Sequence, residues 1–131
     1  MEEYKYKDIT GKVIGAAMQV YKILGNGFQE VIVQRALEIE LPFFNLSFKR
    51  ELEMPIYYRE KQIGTRRVDF LTEGIVSVEL KAVIKLEDVH LAQAINYLEA
   101  YHIEVGLLIN FGSKSLEFKR LINSKYHLRN P

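Results

Sequence analysis

The strongest constraint on the fold lies in two short runs, RRVDFL (66–71) and IVSVELKAV (75–83), joined by a tight turn at about Thr72 to Gly74. Their β-branched and aromatic content, with turn residues between them, predicts a hairpin. Alternation puts Ile75, Ser77, Glu79 and Lys81 on one face of the second strand and Val76, Val78, Leu80 and Ala82 on the other, the core face. The register then decides where Asp69 lies: an odd loop or a bulge sets it across from Glu79, an even loop across from Val78. Two opposed carboxylates repel one another unless something positive sits between them, and a divalent cation would do that. Oxygen donors with little histidine nearby and no cysteine anywhere suit Mg²⁺ or Mn²⁺ rather than zinc. Lys81 projects on the same side as Glu79, where an amine can hold an attacking water or offset charge on a phosphate. The plain alternative is an amphipathic hairpin with Asp69, Glu79 and Lys81 on a solvated face, tied by an ion pair worth about 0–1 kcal/mol.

The rest of the chain predicts what surrounds this hairpin. Ile9 to Leu24 has a helical period, with Asp8 as N-cap and GNG (25–27) as the stop. A second helix runs from about Gln29 to Leu41, with Val33, Leu37 and Leu41 in one stripe, Glu30 opening that inward stripe and Pro42 ending it. Between Phe43 and Tyr58 the near alternation predicts two strands. Glu87 to Tyr101 reads as a helix capped by Glu87 or Asp88, EVGLLINF as a buried strand and LEFKRLI as the last strand. The predicted order is ααββββαββ, in a single domain over residues 1–131.

Composition narrows the function classes. Apolar residues make up 48% and charged residues 27%, a globular balance, and no run reaches the ~18 apolar residues of a membrane span. The charged start MEEYKYKDIT lacks the apolar core of a signal peptide, so a cytoplasmic setting and no membrane partner are expected. A net charge of +1 gives no global field for nucleic acid. Local clusters at Lys49/Arg50, Arg59/Lys61, Arg66/Arg67 and Lys114 to Arg129 are either a basic rim or ordinary scattered surface charge.

On the helix after the hairpin, His90, Gln93 and Tyr97 fall at i, i+3 and i+7 and would present hydrogen-bonding groups on one stripe. Taken singly, each has an ordinary role at a boundary, on the surface or in the core. Glu30 has one too, at the positive end of its helix.

Asp69, nine residues, then Glu79-Leu80-Lys81 resembles the D-x(n)-(D/E)-x-K core of the PD-(D/E)XK nuclease superfamily, with Glu30 as its preceding helical glutamate. Gln93 to Tyr97 is similar to the Q-x-x-x-Y motif of RecB-like members. More closely, ITGKVIGAAMQVYKILGNGFQE, VDFLTEGIVSVELKAV, HLAQAINYL and VGLLINFGSKSLEFKRLI resemble successive blocks of the small bacterial GxxExxY proteins. Two positions depart from the pattern: Val33 stands where the motif has tyrosine, and Val68 where the superfamily has proline. The resemblance implies an α/β restriction-endonuclease-like fold, a mixed central sheet flanked by helices. It implies metal held by Asp69, Glu79 and the Leu80 carbonyl, with Glu30 binding directly or through water, and Lys81 positioning or activating water. Gln93 and Tyr97, with His90 a weaker candidate beside them, would support the site or contact nucleic acid. Apart from the resemblance, Arg66 and Arg67 of the basic clusters are candidates to bind nucleic acid.

The expected function is thus a Mg²⁺/Mn²⁺-dependent nuclease on DNA ahead of RNA, with a homodimer or partner supplying targeting, since no sequence-reading element is visible. The alternative is a non-catalytic nucleic-acid-binding or protein-interaction module on the same fold. Val33 and the modest net charge favour that alternative, whereas the intact set of Glu30, Asp69, Glu79 and Lys81 opposes it.

Overall fold

In a computed structural model of the chain, residues 5–129 are described, with side chains through His127. The first four residues, part of the stretch read as lacking a signal peptide, and the Arg129 side chain, counted in the basic rim, lie outside that description.

Two helices come first, α1 (Lys7–Leu24) and α2 (Glu30–Glu40). α1 begins before the expected start: Tyr6 occupies the N-cap position and Asp8 lies inside the first turn, where its charge still suits the dipole. The stop is as read, since Gly25 takes φ 74°, a left-handed value glycine adopts freely, and its N–H donates to the Tyr21 carbonyl.

The stretch 43–58 forms one strand rather than two. Pro42 enters a 3₁₀ turn at Leu41–Phe44 that ends with Asn45 in left-handed conformation, so extended chain begins only at Phe48. The strands are β1 (Phe48–Tyr58), β2 (Lys61–Thr72) and β3 (Val76–Lys81), then helix α3 (Asp88–Tyr101), β4 (Val105–Asn110), β5 (Glu117–Ile122) and a short α4 (Tyr126–Arg129). They make a five-stranded sheet in order β1-β2-β3-β4-β5, antiparallel except for the β3/β4 pair that α3 bridges as a crossover. The fold is α/β and restriction-endonuclease-like, with helices, hairpin, crossover helix and closing strands in the anticipated succession.

Both sheet faces are covered. Val13, Ala17 and Val20 of α1 and Val33 and Leu37 of α2 pack on Phe70, Val78 and Leu80. Ala94 and Leu98 of α3 pack with Leu108 and Leu121. Burying each such valine or leucine contributes roughly 1.5–3 kcal/mol. Close approach of α3 requires Gly106: a Cβ there would lie 2.6 Å from Ser77 Oγ and 3.0 Å from a Leu98 methyl. Thus every β3 residue from Val76 to Leu80 is buried, Ser77 and Glu79 included, and the solvated-hairpin alternative fails. Among the described residues, no helix is long and apolar enough to cross a membrane.

Candidate active site

The loop between β2 and β3 holds Glu73, Gly74 and Ile75, an odd number, closed by the Ile75 N–H on the Thr72 carbonyl and by Thr72 Oγ1 on the Val76 carbonyl. The ladder therefore pairs Thr72 with Val76, Leu71 with Ser77 and Phe70 with Val78. The next opposed positions are Asp69 and Glu79, where regular pairing stops. On the other side β1 pairs Arg50 with Phe70 and Leu52 with Val68, leaving Glu51 opposite Asp69 without a ladder partner and with φ 54°. Three carboxylates thus run in a row across three strands, Glu51, Asp69 and Glu79, at a gap in both ladders. A non-glycine residue with left-handed backbone in mid-strand costs about 1 kcal/mol or more and is found at irregularities of this kind.

A cleft of about 320 Å³ opens at this gap, lined by Glu30, Gln34, Glu51, Arg66, Arg67, Asp69, Glu79, Leu80 and Lys81 among others. Instead of pairing with the opposing backbone, Asp69 uses its side chain: Oδ2 accepts the Leu80 N–H at 2.8 Å and Oδ1 accepts Gln34 Nε2 at 2.7 Å. Both oxygens of Glu79 lie 3.1 Å from Arg66 Nη2. Burial pushes the Asp69 carboxyl up, against the pull of its two hydrogen bonds. It pushes Glu79 up as well, opposed by Arg66 and Lys81 and reinforced by Asp69. Lys81 ends β3, and the backbone just beyond it is anchored by buried Asn110, whose Oδ1 accepts the Val83 N–H and whose Nδ2 donates to the Val83 carbonyl, both at 2.9 Å.

Glu30 is solvent-exposed on the first turn of α2, a correction to the inward position expected of it. Its carboxyl nonetheless reaches the cleft, where partial burial and then Asp69 push its pKa up. Val33 is fully buried in the α1/α2 core, so its contribution is to packing.

The groups expected on the α3 stripe have separate surroundings. His90 Nδ1 accepts the Glu87 N–H at 2.9 Å and so closes the helix start, Gln93 is exposed, and Tyr97 is buried with its hydroxyl toward Met54 Sδ. Tyr97 reaches the site's rear: the Arg66 guanidinium carbon is 6.0 Å from its ring centroid. Burial pushes the Tyr97 phenol well up, so it stays protonated. Arg67 is 60% exposed and 3.8 Å from Glu51. Part of the basic clusters is drawn into local pairs, Arg50 with Glu38 and Glu51 and Lys125 with Glu99.

Two polar cleft residues are additional to those singled out from sequence, Gln34 and Glu51. Gln34 follows Glu30 by one helical turn, and that i, i+4 spacing was the available signal. Its Oε1 is buried without a hydrogen-bond partner among the described residues.

A sequence profile of the PD-(D/E)XK nuclease superfamily matches residues 7–121, which contain the cleft and every strand but the last residue of β5. The chain belongs to the PD-(D/E)XK nuclease superfamily. Asp69, Glu79 and Lys81, whose spacing resembles the D-x(n)-(D/E)-x-K pattern, all line the cleft. Among solved structures, one titled "Crystal structure of SSO0001" is similar with a TM-score of 0.55 and 21% identity, and it shares the fold. The similarity covers 71% of this chain and 50% of that one, so the chain spans about half the length of the structure it matches. No curated protein matches the sequence.

Proposed function

We propose that this chain is a divalent-metal-dependent nuclease that hydrolyses DNA phosphodiester bonds by direct attack of water. The observation that carries this reading is the register that sets Asp69 beside Glu79, with Lys81 following on the same strand face, in a cleft where burial opposes both negative charges. Such a pair is stabilised by a cation, and the donors fit a hard one in kind: carboxylate oxygens of Asp69 and Glu79, the Leu80 carbonyl, and Glu30 at the mouth directly or through water. Mg²⁺ or Mn²⁺ is the ion we assign. Among the described residues no three such groups stand ready-gathered around a metal position, in keeping with Glu79 being turned onto Arg66. When bound, the ion lowers the pKa of a coordinated water and neutralises phosphate charge. Lys81 holds the water in line and offsets charge on the phosphate, while Arg66 and Arg67 supply guanidinium donors for flanking phosphates. Gln34 keeps Asp69 oriented through its Nε2–H.

With Val33 confined to the core, the departure from the GxxExxY pattern removes nothing from the cleft, and we place the chain in that group as an active member. We assign it as a single cytoplasmic domain that relies on a second copy or a partner for targeting. Cleavage of single- and double-stranded DNA in Mn²⁺ and Mg²⁺ tests the reading through Lys81→Ala. Cleavage should vanish while metal binding persists, and full cleavage by that variant would refute the assigned role. The rival, a non-catalytic nucleic-acid-binding or protein-interaction module, is favoured by the Arg66–Glu79 pairing and predicts metal-independent DNA binding without cleavage in any variant.

A further inference from the structure

Glu79 and Asp69 are neutralised in different ways. Asp69 is held by neutral donors, the Gln34 amide and the Leu80 N–H. Glu79 is held by a full charge: one Arg66 nitrogen bridges both of its oxygens at 3.1 Å, with Glu79 only 8% and Arg66 27% exposed. That nitrogen covers the oxygen edge through which a carboxylate would take a metal ion, so cation and guanidinium compete for one position. Asp69 faces no such competition. Arg66 also lines the open cleft, on β2 three residues before Asp69. A guanidinium fork suits a carboxylate and a phosphate equally well.

Resting on the nuclease reading above, we propose that Arg66 is an exchange residue. In the free protein it neutralises Glu79, and when a divalent cation takes Glu79 its guanidinium turns to the phosphodiester in the cleft. Charge balances throughout: Glu79 trades a guanidinium for the cation, and Arg66 trades a carboxylate for a phosphate. Metal and nucleic acid therefore promote one another's binding, because each removes the partner that excludes the other, and the coupling is reciprocal. A buried carboxylate is never left bare, which would cost far more than the exchange.

The test titrates Mn²⁺ by calorimetry into wild-type protein, Arg66→Gln and the Asp69→Ala/Glu79→Ala double variant. In parallel, the affinity for a short fluorescein-labelled DNA strand is followed by anisotropy with and without Ca²⁺. Arg66→Gln should bind Mn²⁺ roughly tenfold more tightly, the gain expected if the pair closes the site about nine-tenths of the time. Its metal-free melting temperature should fall, because Glu79 loses its partner, and Ca²⁺ should raise its DNA affinity several-fold less than it raises that of the wild type. A merely structural arginine would lower metal affinity and melting temperature together, so unchanged or weaker Mn²⁺ binding in Arg66→Gln, at a site the double variant lacks, overturns the exchange and leaves the metal site standing. If neither wild type nor Arg66→Gln binds Mn²⁺ at a site the double variant lacks, the nuclease reading fails and the exchange fails with it. Should Arg66→Gln not fold, Arg66→Lys keeps a cation for Glu79 without the fork. An intermediate gain in Mn²⁺ affinity would then support the exchange, and no gain would overturn it.

Discussion

Asp69 sits where its own charge is unwelcome, with Glu51 and Glu79 at the opposed positions on either side and burial lifting its pKa in spite of two hydrogen bonds. A carboxyl raised in the folded state binds protons more readily there than in the unfolded chain. Its contribution to stability is therefore fully present below the unfolded value of about 4 and is lost as pH rises through the folded value. At neutral pH and without metal, Asp69→Asn should accordingly stabilise the protein by about 1 kcal/mol, a few degrees in melting temperature, and the gain should shrink as the pH falls toward 4. Thermal melts in chelator across that range check this, and a variant less stable than wild type at pH 7 would contradict it. Glu79 offers no such simple gain, because removing it strands Arg66.

At the scale of elements, the site depends on a three-residue turn and on one close approach. Gly74 takes φ 67° with open space where a side-chain methyl would sit, so Gly74→Ala should cost about 1 kcal/mol from backbone strain alone and leave the register intact. Gly106→Ala is different in kind: the new methyl would meet Ser77 Oγ and Leu98, both buried, so the loss should be about 1–3 kcal/mol and should loosen α3 from the sheet. Chemical denaturation of the two variants measures both losses, and a Gly106→Ala cost no larger than that of Gly74→Ala would contradict the packing account. The hairpin and its polar face were legible in sequence because period-two alternation and turn chemistry are local. The choice between Asp69/Glu79 and Asp69/Val78 was not, since it hung on whether the loop held three residues. Glu51 was hidden for a similar reason: its place beside Asp69 follows from the β1/β2 register and a positive φ, neither of which a single segment announces. The same locality misled over 43–58, where alternation continued through a proline-led 3₁₀ turn. On α3, periodicity put His90, Gln93 and Tyr97 on one stripe, but the helix start claimed His90 and the core claimed Tyr97.

Across the whole molecule, covering both faces of the sheet makes the gap chemically potent, because Glu79 would be an ordinary surface glutamate if α3 did not lie over its face. With a weak overall field of +1 and several basic side chains already paired, the proposed affinity for DNA would rest on the cleft and the ion assigned to it rather than on long-range attraction. That dependence puts the metal at the centre of the proposed chemistry. The direct measurement is a calorimetric titration of Mn²⁺ into wild-type protein and the Asp69→Ala/Glu79→Ala double variant, with DNA cleavage assayed on the same samples. The wild type should bind Mn²⁺ and cleave, and binding and cleavage should be lost together in a double variant that remains folded. Equal metal binding and equal cleavage by the two proteins would contradict this, placing the chemistry away from Asp69 and Glu79.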